Sequence, residues 1–145
     1  MRWALIGLLL LDCKSGTRTT DTKSRSIKSK DLKLAFLKDY MGSPTPLQDA
    51  EFHIVVHDNS GGMLAGPSDS DFQVAVKIKP DQVPKWTEGC EATRLDVRPA
   101  WVDPILSGKD GWNVSAQPDT YKCGREERVI HVHEGVIFRR IVTEG

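Results

Sequence analysis

Alternation of apolar and polar residues dominates the chain from Glu51 onward. In EFHIVVHD, Phe52, Ile54 and Val56 take every second position and His53, Val55 and His57 lie between them, the two-residue period that points successive side chains to opposite faces of a strand. DFQVAVKIKP repeats the pattern, with Phe72, Val74, Val76 and Ile78 on one side and Gln73, Ala75, Lys77 and Lys79 on the other. A strand of this kind is expected to rest one face on a core and turn the other to water. Between the two runs lies DNSGGMLAGPSDSD, whose Asp and Asn start turns and whose glycines accept positive φ. The pair therefore reads as antiparallel strands with a long connection, and loops of that length often carry function. VIHVH and VIFRRIV flank Glu134 and Gly135 and predict a hairpin from Val129 to Val142 with a tight two-residue turn.

Helical spacing is clear in SKDLKLAFLKDYM. Ser29 or Asp31 offers an N-cap, Leu32, Ala35, Phe36 and Tyr40 share a face, and Leu37 and Met41 widen it. Gly42, Pro44 and Pro46 end the run. DQVPKWTEG and RPAWVDPILSG predict short helical turns, each carrying a tryptophan and limited by Pro84, Pro99 and Pro104. The expected class is α+β: a small antiparallel sheet of at least four strands, with an N-terminal helix and short helical turns.

The first thirty residues follow neither pattern. Ala4 to Leu11 is an apolar run preceded by Arg2, at eight residues far short of the roughly 20 that cross a bilayer as a helix. KSGTRTTDTKSRSIKSK follows, polar apart from Ile27, and cannot bury enough apolar area to offset the entropy of ordering. It reads as a disordered tether of about 17 residues, spanning roughly 20–25 Å. Folding is then expected over residues 31–145 as a single globular domain.

The junction between the apolar run and this stretch is LLDC, Leu10 to Cys13. It resembles the lipobox of bacterial lipoproteins, in which a leucine three residues before an obligatory cysteine marks the processing site; Asp12 stands where that family has a small residue. The resemblance implies that residues 1–12 are a signal peptide, that residues 13–30 comprise a lipidated cysteine and its tether, and that Cys13 carries a diacylglyceryl group. It also implies a place in the cell envelope, anchored to a bacterial membrane and facing outside the cytoplasm. Each buried acyl CH₂ contributes about 0.8 kcal/mol, so two or three chains hold stably where one is marginal. Cations near the surface add about 1 kcal/mol each toward anionic headgroups. With Cys13 acylated in an oxidising compartment, the remaining Cys90 and Cys123 are expected to pair as a disulfide. The rival reading, a catalytic thiolate at either, lacks a nucleophile context.

Charge refines the function classes. The formal net charge is +0, but Lys14 to Lys30 holds six basic residues against Asp21, and Asp31 to Gly145 carries 13 basic and 18 acidic side chains, about −5. That body lacks the clustered Lys and Arg a nucleic-acid partner demands.

Candidate chemistry is sparse. His53 and His57 fall on one face of a predicted strand, and His131 and His133 on one face of another, a spacing that supplies metal ligands when two such strands are neighbours. Both pairs also occupy what the alternation assigns to the solvent side. Ser60 has no G-x-S-x-G elbow around it, and DNSGG lacks the calcium-loop pattern. Trp86, Trp101 and Trp112 lie in the loop-rich middle, where each is a core residue or a binding anchor. No catalytic residue and no cofactor are assigned. The expected function is a non-catalytic, lipid-anchored binding module, for instance an immunity or inhibitor lipoprotein, with an envelope or secreted protein as partner. The alternative is a small envelope hydrolase or metal-binding protein using the histidine pairs.

Overall fold

The computed structural model describes residues 18–58, 68–94, 98–106, 112, 114 and 117–144. Among these, β1 (Arg18–Lys23), β2 (Asp49–Asp58), β3 (Asp69–Lys77), β4 (Glu91–Thr93), β5 (Asp119–Cys123), β6 (Glu126–His131) and β7 (Val136–Thr143) form one sheet. The spatial order is β1-β2-β3-β7-β6-β5-β4 and every pairing is antiparallel. Two meanders, β1 to β3 and β4 to β7, are thus joined along β3 and β7. The strand runs read from β2, β3, β6 and β7 are present, and the sheet is larger than those four.

Register assigns each row to a face. Phe52, Val74, Arg139, Arg128 and Tyr121 stand in line across the sheet. The first face carries Ala50, Phe52, Ile54, Val74, Val76, Ile130 and Ile137, all buried. It is covered by α1 (Lys30–Lys38), by Met41 just beyond it, and by Val83 and Trp86 of a 3₁₀ helix over Pro80–Trp86. Among the described residues the second face is covered only in part. Ala75, Val129, Val136 and Phe138 pack under Val102 of the one-turn α2 (Val102–Ile105), with Trp101, Trp112 and Val114 beside them. The alternation therefore does not divide core from water here: Ala75, expected on the wet side, is fully buried.

Three expectations are corrected. The stretch from Arg18 is not a tether: it is edge strand β1, paired with β2 from Arg18↔Asp58 to Lys23↔His53. Hydropathy misses it because an edge strand needs little apolar surface when its neighbour supplies the ladder, and Thr19, Thr20 and Thr22 are β-branched. The helix is accordingly not the start of the fold, since β1 precedes it. It does begin after Ser29, whose Oγ accepts the Leu32 N–H at 3.1 Å, but its buried side is Lys33 and Leu37, with Leu32 61 % and Tyr40 41 % exposed. A lysine that pairs inside displaces the face that periodicity chose. Finally, the last hairpin turns through Val132 to Gly135 rather than through two residues, because the pairing stops at His131↔Val136. Strands β4 and β5 are short and polar and went unread.

A charged cluster locks the first face. Arg139 holds Glu126 with two bonds, Nε to Oε2 at 2.7 Å and Nη2 to Oε1 at 2.8 Å, and Arg128 Nε donates to the same carboxylate. Both guanidiniums lie over the Trp86 ring, at 5.2 Å for Arg128 and 5.0 Å for Arg139. Their outer nitrogens donate to Trp86 O and Gly42 O, and the indole Nε1–H donates to Thr45 Oγ1 at 2.9 Å. Burial pushes the Glu126 pKa up, but the Arg139 and Arg128 bonds and charges outweigh it and hold the carboxyl below its ordinary 4.5.

The Cys90–Cys123 disulfide is present. Glu91↔Lys122 is the adjoining pair of the β4–β5 ladder, so the bridge extends a three-residue edge strand that ladder bonds alone hold weakly. Closing this loop contributes about 3–4 kcal/mol in the chain-entropy picture.

Two outcomes are expected. Gly135 has φ 65° and an added Cβ would lie 2.3 Å from the Ile78 carbonyl oxygen, so Gly135→Ala should cost about 3 kcal/mol or more by urea denaturation. Gly124→Ala, at φ 63° with open space around it, should cost only about 1–2 kcal/mol; equal costs would show that the contact with Ile78 is not tight. Second, Glu126 takes up its proton at lower pH when folded than when unfolded. Its stabilisation is therefore full above about pH 4.5 and lost as pH falls through the lowered folded value. Glu126→Gln should lose about 3–5 kcal/mol at pH 7 and show a flatter acid limb than the wild type; parallel limbs would assign acid sensitivity elsewhere.

Candidate functional site

The uncovered part of the second face ends in a cleft of about 600 Å³. β1 supplies Lys23 at its last position, and the 3₁₀ turn Ser24–Ser26 and the segment after it supply Arg25, Ile27 and Lys28. Glu51, Phe52 and His53 come from β2, Gln73 from β3, Lys33 from α1, and Pro104 and Ile105 from α2. The cleft exists because β1 stops at the His53 row while β2 runs on to Asp49. Ser24 replaces the missing strand: its Oγ accepts the Phe52 N–H at 2.9 Å and donates to Glu51 Oε1 at 2.7 Å.

Charge is arranged in two layers. At the floor, Lys33 Nζ donates to Glu51 Oε2 at 2.9 Å, with the two side chains 8 % and 5 % exposed. Ser24, Glu51 and Lys33 thus form a buried, internally compensated group. Above them, Lys23, Arg25 and Lys28 are exposed, and none makes an ion pair among the described residues. His53 Nε2 lies 2.8 Å from Asp21 Oδ1, which fixes the ring at the cleft margin. Further along the face, Asp71 accepts two bonds from Arg140, at 3.1 and 2.9 Å, and one from the Gln73 amide at 3.2 Å. The Asp71 bonds hold the Arg140 pKa above its ordinary value despite partial burial. The cleft is therefore a cationic rim above an apolar wall of Ile27, Pro104 and Ile105.

The structure separates the histidines that spacing grouped. His57 Nδ1 lies 2.8 Å from Thr19 Oγ1 on the exposed side of β1. His131 is fully buried, edge-on to Phe138 at 5.9 Å. His133 is an exposed residue of the hairpin loop. The two pairs cannot converge: β3 and β7 lie between β2 and β6, about 14 Å at ordinary strand spacing, and His131 aligns with Asp49, not with His53. No group of three or more His, Cys, Asp or Glu side chains is placed to hold a metal ion among the described residues. The four histidines therefore do not meet at one site.

Trp86 is wholly buried and belongs to the core cluster rather than to a contact surface. Trp101 is half-buried, its indole Nε1–H donating to Glu127 Oε1 at 3.4 Å. Trp112 is half-buried with Lys77 Nζ 5.9 Å from its ring centroid. Cys13, Ser60 and most of the loop between β2 and β3 lie outside the described residues. Of the histidines and tryptophans singled out by sequence, His53 alone lines the cleft. Lys23, Arg25, Lys28, Lys33 and Glu51 were passed over. The signal for the rim lies in the basic run itself, whose polarity alone predicts a tether.

Comparison with protein families, with curated proteins and with solved structures finds no match. Among the described residues no helix is long and apolar enough to cross a membrane.

The floor gives a direct test. Lys33→Met should cost about 3–5 kcal/mol, and adding Glu51→Gln should recover much of that loss in a double-mutant cycle. A coupling energy below about 0.5 kcal/mol would mean that the two charges do not depend on one another.

Proposed function

We propose that the chain is a non-catalytic binding module of a bacterial cell envelope, held at a membrane by lipid on Cys13 and binding through the cleft beside β1. The observation that carries this reading is the cysteine arithmetic. Cys90 and Cys123 are bridged, a state suited to an oxidising compartment, and the odd cysteine is the one in LLDC. The resemblance of that stretch to a lipobox supports export and acylation.

The position of β1 sharpens the picture. From Cys13 to Arg18 is five residue steps, at most about 18 Å when extended. A lipid on Cys13 therefore keeps the Arg18 end of the edge strand close to the membrane surface, with the cleft at the far end of that strand. A protective role is one form of this function: an immunity or inhibitor lipoprotein that meets a toxin or hydrolase arriving at the envelope.

The intact, non-reduced mass of protein recovered from the membranes of its host tests the reading. The expected species begins at Cys13, carries two or three acyl chains and lacks the two hydrogens lost in the disulfide. An unprocessed chain with free thiols overturns export and lipidation together.

A further inference from the structure

The geometry points to a phosphate group as the ligand of the cleft, held by Lys23, Arg25 and Lys28 with the His53 ring at its margin. The assignment rests on the reading of this cleft as a binding site, but not on the lipid anchor. Its first ground is charge without compensation. The floor carboxylate, Glu51, is already engaged by Lys33 and Ser24, so it neither neutralises the rim nor repels an anion strongly from below. Three exposed cations within six residues of one another then face a common space. Like charges gathered in this way repel one another, and a multiply charged oxyanion relieves that repulsion through charge-assisted hydrogen bonds.

The second ground is placement. The body from Asp31 onward is acidic, about −5, so cations elsewhere sit in a negative field while these sit on a basic wall. A cleft with low-dielectric walls focuses such a field. The third ground is shape. About 600 Å³ suits a small molecule or a headgroup, and it is not a groove that tracks a nucleic-acid backbone. Ile27, Pro104 and Ile105 line the same space, so the ligand that fits best bears an apolar portion next to its phosphate. Two sources share this chemistry: an anionic phospholipid headgroup and a soluble phosphate ester.

Titration of the full chain with three probes, followed by the His53 ring and the Ser24 to Lys28 backbone amides in NMR spectra, tests the assignment. The probes are inorganic phosphate, dihexanoyl phosphatidylglycerol and dihexanoyl phosphatidylcholine, the lipids kept below their micelle-forming concentration. Saturable shifts with phosphatidylglycerol that exceed those with inorganic phosphate support a lipid headgroup. Equal saturation by inorganic phosphate supports a soluble phosphate source. In either case Lys23→Gln/Arg25→Gln/Lys28→Gln should weaken binding by roughly tenfold or more. Lys38→Gln/Lys79→Gln/Lys85→Gln, which removes the same net charge from exposed sites outside the cleft, should change it less than about threefold. No saturable shift with any probe, equal binding of the zwitterionic lipid and the anionic one, or equal weakening by both triple variants overturns the assignment. None of these outcomes bears on the mass measurement, which reads lipidation alone.

Discussion

Two guanidiniums sharing one carboxylate under a tryptophan ring hold this molecule's layers together. Glu126 and Arg128 belong to β6 and Arg139 to β7, while Trp86 ends the 3₁₀ helix and Gly42 and Thr45 follow α1. The cluster therefore spans the two adjoining strands and both of the elements that cover them. Its charge does not balance within itself, since two cations face one anion. The remainder is taken up by the carbonyls of Trp86 and Gly42 and by the face of the indole, where a cation is attracted to the ring quadrupole. Truncating the carboxylate would leave two desolvated cations, which is far costlier than the net worth of the pair. Apolar packing alone allows α1 and the 3₁₀ helix to slide over a flat sheet; directional bonds to named carbonyls do not.

Because both covering elements are committed to the first face, little among the described residues is left to cover the second. α2 is a single turn of four residues, whose Val102 packs with Phe138 and Val129 but leaves the rows beyond part-exposed. Those rows carry polar residues with local partners: His53 with Asp21, His57 with Thr19, Arg140 with Asp71. The same economy produces the cleft. β1 ends early, Ser24 turns away to satisfy Phe52 and Glu51, and the chain leaves a basic segment standing beside an exposed sheet. The cleft thus follows from a strand length and one serine hydroxyl rather than from any loop built for it.

What sequence alone could reach follows the same physical line. β2 and β3 were legible because they alternate and one of their faces is apolar throughout. The disulfide was legible through counting, once Cys13 had been set aside. α1 was found but turned on its axis, because a buried Lys33 looks identical to a solvated one until Glu51 is seen opposite it. His131 was misplaced for the converse reason: polar residues on an alternating strand are assigned to water, and nothing in VIHVH announces that the ring is buried edge-on to Phe138. β1, β4 and β5 escaped because edge strands draw stability from a neighbour, a bridge or a ladder, all of which are remote in sequence. The residues of the cleft escaped with β1.

The net charge of zero conceals a separation of charge over the fold. Averaged over the chain, basic and acidic residues cancel; distributed over the fold, they separate into an acidic body and a basic rim of Lys23, Arg25 and Lys28. A disordered tether would let those cations spread into solvent, each screened within about 8 Å at physiological salt. Fixed on an edge strand and a 3₁₀ turn, they cannot spread, and their mutual repulsion is held in the folded state. Folding tolerates it because the Ser24–Glu51–Lys33 floor and the β1–β2 ladder anchor the segment independently. Repulsion that folding leaves unrelieved is available to a ligand of opposite charge, and the cleft beside β1 is where this fold leaves it.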